Sequence, residues 1–496
     1  MRRLADRVVR SDVELSDLGL AVTRRIAALS GVIAMLDTGP CSQQFAEPAN
    51  AMEARKKMRS PRFVLTMFMV TALVLTTAMP VSAAALETYL VSTSSSGVQA
   101  DLDSGGTAIS PNGRYVAFSS RATNLIPGMI VDKQSVYFRD LRTGVVSLIS
   151  VSSDGIPGNG MSVGPYVSTN GRYVFFSSTS TNLAPGPSVW SAALVRDRWT
   201  GTTSRIAISS TGVHADQSSQ PRGISPDGRY VVFETEATNL EPGGTNGEMQ
   251  VYVRDMTTRS TTLVSVSSSG AQGNGESLGW GISANGRYVL FSSEATNLVP
   301  GDTNGESDVF LRDLWSGTTT RVSVSDAGTE ANGYSYGVRL SADGRYALFN
   351  SVASNLVAGD TNYEGDAFVR DLWTGTTSRV SVSGTGAQGN GQSSADDISE
   401  NGRYVVFASW AANLVPGDTN NQWDIFLRDR LTGSTTRVSV ASDGTQSNGL
   451  SNSSEVANDG SVTFISFATN LVPGDTNDRG DVFVRTRHPM KRLARS

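Results

Sequence analysis

A repeat of about 58 residues constrains this chain more than any other feature of its sequence. The glycine of an Asp-Gly or Asn-Gly turn recurs seven times at steps of 57 or 58 residues: Gly113, Gly171, Gly228, Gly286, Gly344, Gly402 and Gly460. A fixed period of this size predicts a solenoid, a propeller or an array of small domains. The fold is therefore one unit used seven times.

Each repeat contains four strand-like runs. One repeat reads SLGWGIS (277–283), RYVLFSS (287–293), DVFLRDL (308–314) and TTRVSVS (319–325). Apolar residues alternate with polar ones and turn residues separate the runs, which is typical of antiparallel strands. Four such strands make a propeller blade. Solenoid rungs are usually shorter, and helical repeats would need a 3.6-residue period that is absent here.

The ends of the repeat region predict how the ring closes. The first segment, ETYLVSTSSSG (87–97), matches the fourth strand of a later repeat, and the last, DVFVRT (481–486), is a third strand. The N-terminal strand would then complete the last blade and remove an open sheet edge. We expect an all-β, seven-bladed propeller of four-stranded antiparallel blades over residues 86–486. A basic tail (487–496) follows it.

The S-P-(D/N)-G-R-Y-V-x-F run followed by D-V-F-V-R-D resembles the propeller repeats of the TolB-like, WD-repeat-like family. The resemblance covers about residues 86–486. It implies a periplasmic or extracellular propeller that acts as a protein-interaction scaffold. In other members it implies a propeller that gates or supports an attached hydrolase. We expect no second domain here, and the ATNLVPGDTN loop exceeds the short family repeat.

Residues 58–85 predict an export signal. A basic start leads into an apolar run (63–79) and then into small residues, as in a secretory signal peptide. The alternative is an uncleaved membrane anchor, since 17 residues is near the lower limit for a span. Residues 1–57 would be an extension, either a mis-called start or a cytoplasmic tail. We expect a secreted or cell-surface protein.

The charge and the cysteine content of the chain limit the kinds of partner that we expect. Of the 41 Lys and Arg residues 11 precede residue 86, and of the 46 Asp and Glu residues 7 do. The exported part therefore carries nine more acidic than basic residues, which disfavours nucleic acid. The one cysteine, Cys41, precedes the signal, so no disulfide or lipid-attachment cysteine follows it. We expect a monomer that touches a membrane only through an uncleaved N-terminal segment.

The loops differ between the two faces of the predicted ring. The turns between strands one and two and between strands three and four are minimal, and they share one face, the short-turn face. The loops between strands two and three (such as 295–305) and the loops that join blades (such as 268–277) share the opposite, long-loop face. Function on a rigid scaffold usually lies in loops. The long-loop face is therefore the predicted binding surface.

Four of the long loops carry the pattern D-T-N-x-x-x-D. Oxygen ligands at alternate positions, with a later carboxylate, resemble part of a calcium loop, although its Gly and bidentate Glu are not in place. The alternative is that Asp and Asn simply favour the turn. No cofactor is required, and calcium is the candidate. Its predicted ligands are Asp302, Asn304, Asp308, Asp360, Asn362, Asp366, Asp418, Asn420, Asp424, Asp475, Asn477 and Asp481.

The innermost strands are where the repeats diverge most. Each innermost strand ends with an apolar residue, such as Ile282 or Leu340. The one or two residues before it vary sharply in charge and size between repeats. They are Tyr166, Arg222, Trp280, Arg339, Asp396, Asp397 and Glu455. Since innermost strands line the axial channel, we expect these seven at the channel mouth. They would bind a small polar ligand or a peptide terminus, or alternatively form a self-neutralising plug.

Apparent enzyme motifs fail on context, and we assign no catalytic residue. The G-x-S-x-G match at 275–279 precedes an innermost strand and not a strand-to-helix elbow. His214 and His488 lie in a loop and in the tail, which disfavours a Ser-His pair. An Arg-Asp pair ends strand three in six repeats, so we interpret it as architectural. Paired carboxylates for glycoside hydrolysis stay open.

The sequence thus favours an exported propeller that acts as a non-enzymatic binding or scaffold module. Its expected partner is an extracellular or cell-envelope protein or glycan. One alternative is a glycosidase or lyase that uses the channel-mouth carboxylates. The other is a structural propeller stabilised by calcium.

Overall fold

A computed structural model describes residues 86–129, 131–242 and 245–488. The predicted extension (1–57), the signal or anchor segment (58–85) and most of the basic tail lie outside these residues. Within the described part, 28 strands form seven four-stranded antiparallel sheets. Each sheet is one blade of a ring. The predicted seven-bladed propeller is therefore confirmed.

The strands occupy corresponding positions in every blade. The innermost strands are β2 (Ser104–Ile109), β6 (Ser162–Val167), β10 (Ser219–Ile224), β14 (Ser277–Ile282), β18 (Ser335–Leu340), β22 (Ser393–Ile398) and β26 (Ser451–Val456). The second strands are β3 (Tyr115–Ser120), β7 (Tyr173–Ser178), β11 (Tyr230–Thr235), β15 (Tyr288–Ser293), β19 (Tyr346–Ser351), β23 (Tyr404–Ser409) and β27 (Val462–Ser466). The third strands are β4 (Ser135–Asp140), β8 (Ala192–Asp197), β12 (Gln250–Asp255), β16 (Asp308–Asp313), β20 (Asp366–Asp371), β24 (Asp424–Asp429) and β28 (Asp481–Thr486). The outermost strands are β5 (Val146–Leu148), β9 (Thr202–Arg205), β13 (Thr261–Leu263), β17 (Thr318–Arg321), β21 (Thr376–Arg379), β25 (Ser434–Arg437) and β1 (Glu87–Leu90).

Blade 1 begins with β2, and blade 7 combines β26, β27 and β28 with β1 from the other end of the chain. The register pairs Glu87 with Thr486 and Leu90 with Phe483. Thr88 adds a bond between blades, since its hydroxyl donates to the carbonyl of Val440 at 2.6 Å. The N-terminal strand therefore closes the ring, as the order of segments predicts, and β28 has no free edge.

The hydrophobic core lies between blades and not within one. A single cluster joins Val232 and Val251 of blade 3 to Val289 and Phe291 of blade 4, and the other clusters repeat this arrangement. These side chains come from second and third strands, which are buried along almost their whole length. Because a sheet buries its apolar face only against another sheet, each blade needs its neighbour for stability.

The Arg-Asp pair at the end of strand three is architectural. Its arginine binds the segment that joins two blades, and its aspartate binds an arginine of its own blade. Arg312 donates from Nη1 to the carbonyl of Ser267, at the start of the segment that joins blades 3 and 4, at 3.0 Å. Asp313 instead stays within its blade and binds Arg287 of the first turn at 2.7 Å. In that turn Gly286 has φ +72° and packs against the ring of Tyr230 in the preceding blade. A left-handed backbone with no room for a side chain explains the glycine.

No helix among the described residues is both long and apolar enough to cross a membrane.

Candidate functional site: the axial channel and the long-loop face

Every innermost strand contains a β-bulge, and the divergent residues lie on it or next to it. In blade 3, Pro221 pairs with Phe233 and Gly223 with Val232, which leaves Arg222 unpaired. The same irregularity leaves Trp280 unpaired in blade 4 and Asp396 in blade 6. A bulge bends the strand and re-aims a side chain. The divergence seen in the sequence therefore coincides with a local break in the ladder.

Four of the seven predicted channel residues come together. The Nε of Arg339 donates to Oδ1 of Asp397 at 2.9 Å, and its Nη2 donates to Oε1 of Glu455 at 3.3 Å. The same guanidinium lies 5.7 Å from the ring centroid of Tyr166. One cation from blade 5 thus bridges two carboxylates from blades 6 and 7.

The remaining oxygens of the channel acids accept backbone N–H groups of the next blade. Oδ2 of Asp397 accepts the amide of Val456, and Oε2 of Glu455 accepts the amide of Ile109, each at 3.0 Å. Asp396 makes the same kind of contact, because its Oδ2 accepts the amide of Ser454 at 3.0 Å. These carboxylates therefore join innermost strands in the part of the ring that runs from blade 5 to blade 1.

The other predicted channel residues have local partners. Arg222 forms an ion pair with the buried carboxylate of Glu234 on the second strand of its own blade. The indole Nε1 of Trp280 donates to the hydroxyl of Ser292 at 2.8 Å, and its ring lies 6.1 Å from Tyr336. Neither Arg222 nor Trp280 lines the channel cavity. The charge of Arg222 nevertheless acts on the phenol of Tyr166, which does line that cavity.

The channel cavity lies at the short-turn end of the ring and is small. Its walls include Tyr166, Arg339, Asp397, Glu455 and the turn residue Glu400, and its volume is about 60 Å³. That volume holds a few water molecules, whereas sites for drug-sized ligands measure roughly 300–1,000 Å³. This geometry favours the predicted plug over a sugar-binding cleft. Ligand binding by these residues stays a prediction.

The channel contains more acidic than basic side chains, and the pKa values of its acids are raised. Burial raises the pKa of Asp396 to about 6 and that of Glu400 to about 7. Burial also raises the pKa of Asp397 and Glu455, against the lowering effect of Arg339. The pKa of Arg339 is raised because the attraction of these two carboxylates outweighs its own desolvation. The channel therefore takes up protons near neutral pH.

Glu400 was missed by reasoning from the sequence. It directly follows Ser399, at the start of the turn between strands one and two, where blade 1 has Pro111, blade 3 has Pro226 and blade 5 has Ala342. The sequence did contain a signal, because a glutamate stands here at a repeat position where those three blades have proline or alanine. Only the ring shows that this position borders the channel.

In three of the four predicted calcium loops, an arginine from the outermost strand lies against both acids. Arg379 is 3.3 Å from Asp360 and 2.9 Å from Asp366. Arg437 makes the equivalent contacts with Asp418 and Asp424 at 3.4 and 3.3 Å. In blade 4, Arg321 lies 3.2 Å from Asp302 and 3.1 Å from Asp308, and it also contacts Glu330. A guanidinium thus compensates these carboxylates, and calcium binding there stays untested.

The loop of blade 7 has the same acids without that arginine. Leu90 pairs with Phe483 as Arg321 pairs with Phe310, so a leucine stands where the other three blades have the cation. Gln99 bridges the acids, as Gln388 and Gln446 do beside the arginines of blades 5 and 6, and its Nε2 lies 2.8 Å from Asp475 and 2.9 Å from Asp481. The asparagines of the motif donate to the final acid and to the neighbouring loop, as Asn477 does to Asp481 at 2.9 Å.

The long-loop face carries an apolar sector over blades 5, 6 and 7. In each blade the residue after strand two donates its backbone N–H to the residue before the innermost strand, so two variable side chains stand side by side. These pairs are Val352 with Tyr334, Trp410 with Gln392, and Phe467 with Leu450. Tyr334, Val352, Trp410 and Phe467 are between 39% and 52% exposed. We define these four residues as the apolar sector.

An acidic sector occupies the equivalent positions of blades 3 and 4. Glu294 donates its backbone N–H to the carbonyl of Glu276 at 3.0 Å, and Glu236 takes the equivalent position in blade 3. Glu248, in the neighbouring long loop, acts on Glu276 together with Glu294 and Glu236, and burial with these like charges raises the pKa of Glu276. The four side chains are exposed. One face thus presents an apolar sector next to an acidic one.

Comparison with known proteins finds solved structures that have a similar fold. No protein-family model and no curated protein matches the chain. TolB from Acinetobacter baumannii is 17% identical with a TM-score of 0.38, and the match covers 66% of this chain and 64% of TolB. The propeller domain of the Trilobed protease from Pyrococcus furiosus is 10% identical with a TM-score of 0.47, over 80% of this chain and 98% of that one. The solved structures that are similar to this chain therefore include a TolB protein and a protease propeller domain, and the chain spans less than two thirds of the A. baumannii protein.

Proposed function

We propose that this chain is a non-enzymatic binding module whose long-loop face docks an extracellular or cell-envelope protein. The observation that carries the proposal is the apolar sector of Tyr334, Val352, Trp410 and Phe467. Single exposed apolar residues are normal on soluble proteins, whereas these four occupy corresponding positions on three consecutive blades, which favours an interaction surface. Tryptophan and tyrosine are also enriched among the residues that dominate binding energy.

The apolar sector is ordered before any partner arrives. The ring of Trp410 contacts Trp423 edge-on, with 5.8 Å between centroids. The ring of Phe467 lies against Gly480, where an added Cβ would approach its edge to 3.0 Å. A preorganised aromatic surface loses little side-chain entropy on binding, so more of its contact energy appears as affinity.

The acidic sector supports a choice of partner. Glu236, Glu248, Glu276 and Glu294 place uncompensated negative charge next to the apolar sector. A protein that presents an apolar segment flanked by Lys or Arg would match both sectors. Such charge complementarity raises the association rate and fixes orientation more than it raises affinity.

Site-specific cross-linking tests this proposal. A photoreactive residue is placed at Trp410, at Phe467 or, as a matched control, at Thr179, which occupies the same position in blade 2. Partners are captured from cell-envelope extract, identified and then purified. We expect one protein that cross-links at 410 and 467 but not at 179. Its dissociation constant should rise about thirtyfold or more for Trp410→Ala, since loss of an interface hot spot costs about 2 kcal/mol or more.

The cross-linking experiment also contains outcomes against the proposal. Equal cross-linking at 179, or an affinity unchanged by Trp410→Ala and Phe467→Ala, would remove the apolar sector from the interface. Capture of glycan alone would favour the glycan alternative. Glu276→Gln with Glu294→Gln should slow association and weaken its salt dependence while leaving dissociation almost unchanged.

Calcium binding by the blade 7 loop is a second proposal, and one specific observation favours it. Asp475 and Asp481 are both buried, and the arginine that compensates the equivalent acids elsewhere is Leu90 here. Burial raises the pKa of both acids, as it also does for Asp302, Asp308, Asp360 and Asp418 in the loops that have the arginine. The missing arginine, and not the pKa, therefore distinguishes the blade 7 loop. A hard cation with oxygen ligands would supply the missing positive charge.

A further inference from the structure

Three tryptophans stand exposed on the short-turn face, opposite the proposed docking surface. Trp199, Trp315 and Trp373 occupy the same position, in the turn between the third and outermost strands of blades 2, 4 and 5. Their exposed fractions lie between 66% and 68%. No prediction from the sequence assigned them a role.

Each indole is held in place by a rigid turn. The guanidinium of Arg287 lies 5.1 Å from the ring centroid of Trp315, and Arg345 lies 4.9 Å from that of Trp373. Arg287 is itself bound by both oxygens of Asp313, at 2.9 and 2.7 Å. The same carboxylate accepts the backbone N–H of Trp315 at 2.9 Å. One face of the ring thus stacks on a fixed cation while most of the side chain stays open to solvent.

The fold does not require these tryptophans. Blades 1, 3 and 6 carry Arg142, Thr257 and Leu431 at the same position. The supporting ion pair still forms there, for example between Arg114 and Asp140 at 2.7 Å and between Arg403 and Asp429 at 2.7 Å. Since the turn is built without an indole in three blades, turn formation does not explain an exposed indole in the other three. A ligand explains it better.

The surroundings of the tryptophans indicate the class of ligand. The arginine stacked on each ring is held in an ion pair by an aspartate of the same blade, so this cation adds no net charge to the site. Hydroxyls lie in the same turn, such as those of Ser316 and Thr318, which are 2.9 Å apart. The turns around the three rings are polar. A flat apolar platform edged by hydroxyls fits a pyranose ring, which has C–H groups on its face and hydroxyls at its rim.

We propose that Trp199, Trp315 and Trp373 bind a neutral polysaccharide, each stacking on one sugar ring. Trp315 and Trp373 lie on adjacent blades, and blade 3 separates Trp315 from Trp199. Several weak sites on one rigid ring would bind a repeating polymer with an avidity far above the affinity of one site. The site lies on the opposite face from the proposed protein interface and does not depend on it.

Affinity electrophoresis in gels that contain soluble cellulose ether, xylan, laminarin or glycol chitin tests the proposal. We expect at least one of these neutral polymers to retard the protein. Trp315→Ala or Trp373→Ala should weaken this retardation several-fold, and the double variant about a hundredfold, since avidity from linked sites reaches 10² or more. Leu431→Ala, an exposed apolar residue in the same turn of blade 6, should leave retardation unchanged. Trp410→Ala on the other face should do the same.

Two results would overturn the inference. One is the absence of retardation by all four polymers, and the other is equal loss in the Leu431→Ala control. Binding only to anionic polymers, abolished by salt, would also contradict a neutral ligand. Because these side chains are largely exposed, the variants should unfold at the same temperature as the parent protein, which separates lost binding from lost folding.

Discussion

Arg379 donates a hydrogen bond from Nη1 to Oδ2 of Asp366 at 2.9 Å, and the Asp366 side chain is fully buried. The arginine comes from the outermost strand of blade 5 and the aspartate from the start of its third strand. The same contact recurs in blades 4 and 6. In these three blades, the last acid of the pattern that resembles a calcium loop thus also forms a buried ion pair between two strands of one blade.

The first prediction concerns that ion pair. Arg379→Leu should lower the free energy of unfolding by about 3–5 kcal/mol, because it leaves a buried carboxylate without its partner. Chemical denaturation measures the change. Leu263 occupies the equivalent position in blade 3, so a leucine fits the site sterically. Adding Asp366→Asn to Arg379→Leu should recover part of the loss. A single variant that loses less than about 1 kcal/mol would place this pair among the weak surface bridges.

Calcium should act through the blade 7 loop. Calcium should raise the unfolding temperature of the parent protein, and a chelator should reverse the rise, because a ligand that binds only the folded state stabilises it. Asp475→Asn should abolish the response. Asp418→Asn, in a loop that has its arginine, should preserve it. An unfolding temperature that is unchanged between calcium and chelator would dispose of the calcium proposal.

Stability should rise as the pH falls from 8 to about 5. Burial raises the folded-state pKa of Asp396 to about 6, of Glu400 to about 7 and of Asp308 to about 6. The ordinary values are 3.8 for Asp and 4.5 for Glu, so in this range the folded state takes up protons that the unfolded state does not. Folding is then favoured by acid.

Below about pH 4 the sign reverses. Hydrogen bonds from arginines lower the pKa of Asp255, Asp371 and Asp429 to about 2, so the unfolded state then takes up protons first. Stability should therefore be greatest at about pH 4–5. Denaturant melts from pH 3 to 8 measure the profile, and Glu400→Gln should flatten its upper part. Greater stability at pH 8 than at pH 5 would contradict the assignment.

Ring closure should depend on the N-terminal strand. A chain that begins at Val91 lacks β1 and exposes the edge of β28. We expect a lower unfolding temperature and self-association, visible by light scattering, because an unpaired edge recruits other strands. Removal of residues 489–496 is the control and should change neither property. A monomeric truncated chain with parental stability would mean that β1 is not needed to close the ring.

Much of the fold could be predicted because the same pattern of strands and turns occurs in seven repeats. The period, the alternation within 277–325 and the mismatch between the first and last segments together indicated blades, strand order and closure. The candidate surfaces were harder to predict. Trp410 and Phe467 are 57 residues apart, and nothing in either repeat indicates that their side chains belong to one surface.

The sequence by itself determined the repeated unit, since alternation and turn glycines act over a few residues and recur in every blade. Only the tertiary structure decided what the non-repeating residues do. Arg339 meets Asp397 and Glu455 because ring closure brings innermost strands from three blades to one axis. The arginines between the loop acids, the apolar sector and the exposed tryptophans likewise depend on contacts between strands or blades. The physical reason is that the propeller places equivalent positions of successive repeats on neighbouring blades. Where the repeats differ at such a position, the differing side chains share one surface of the ring.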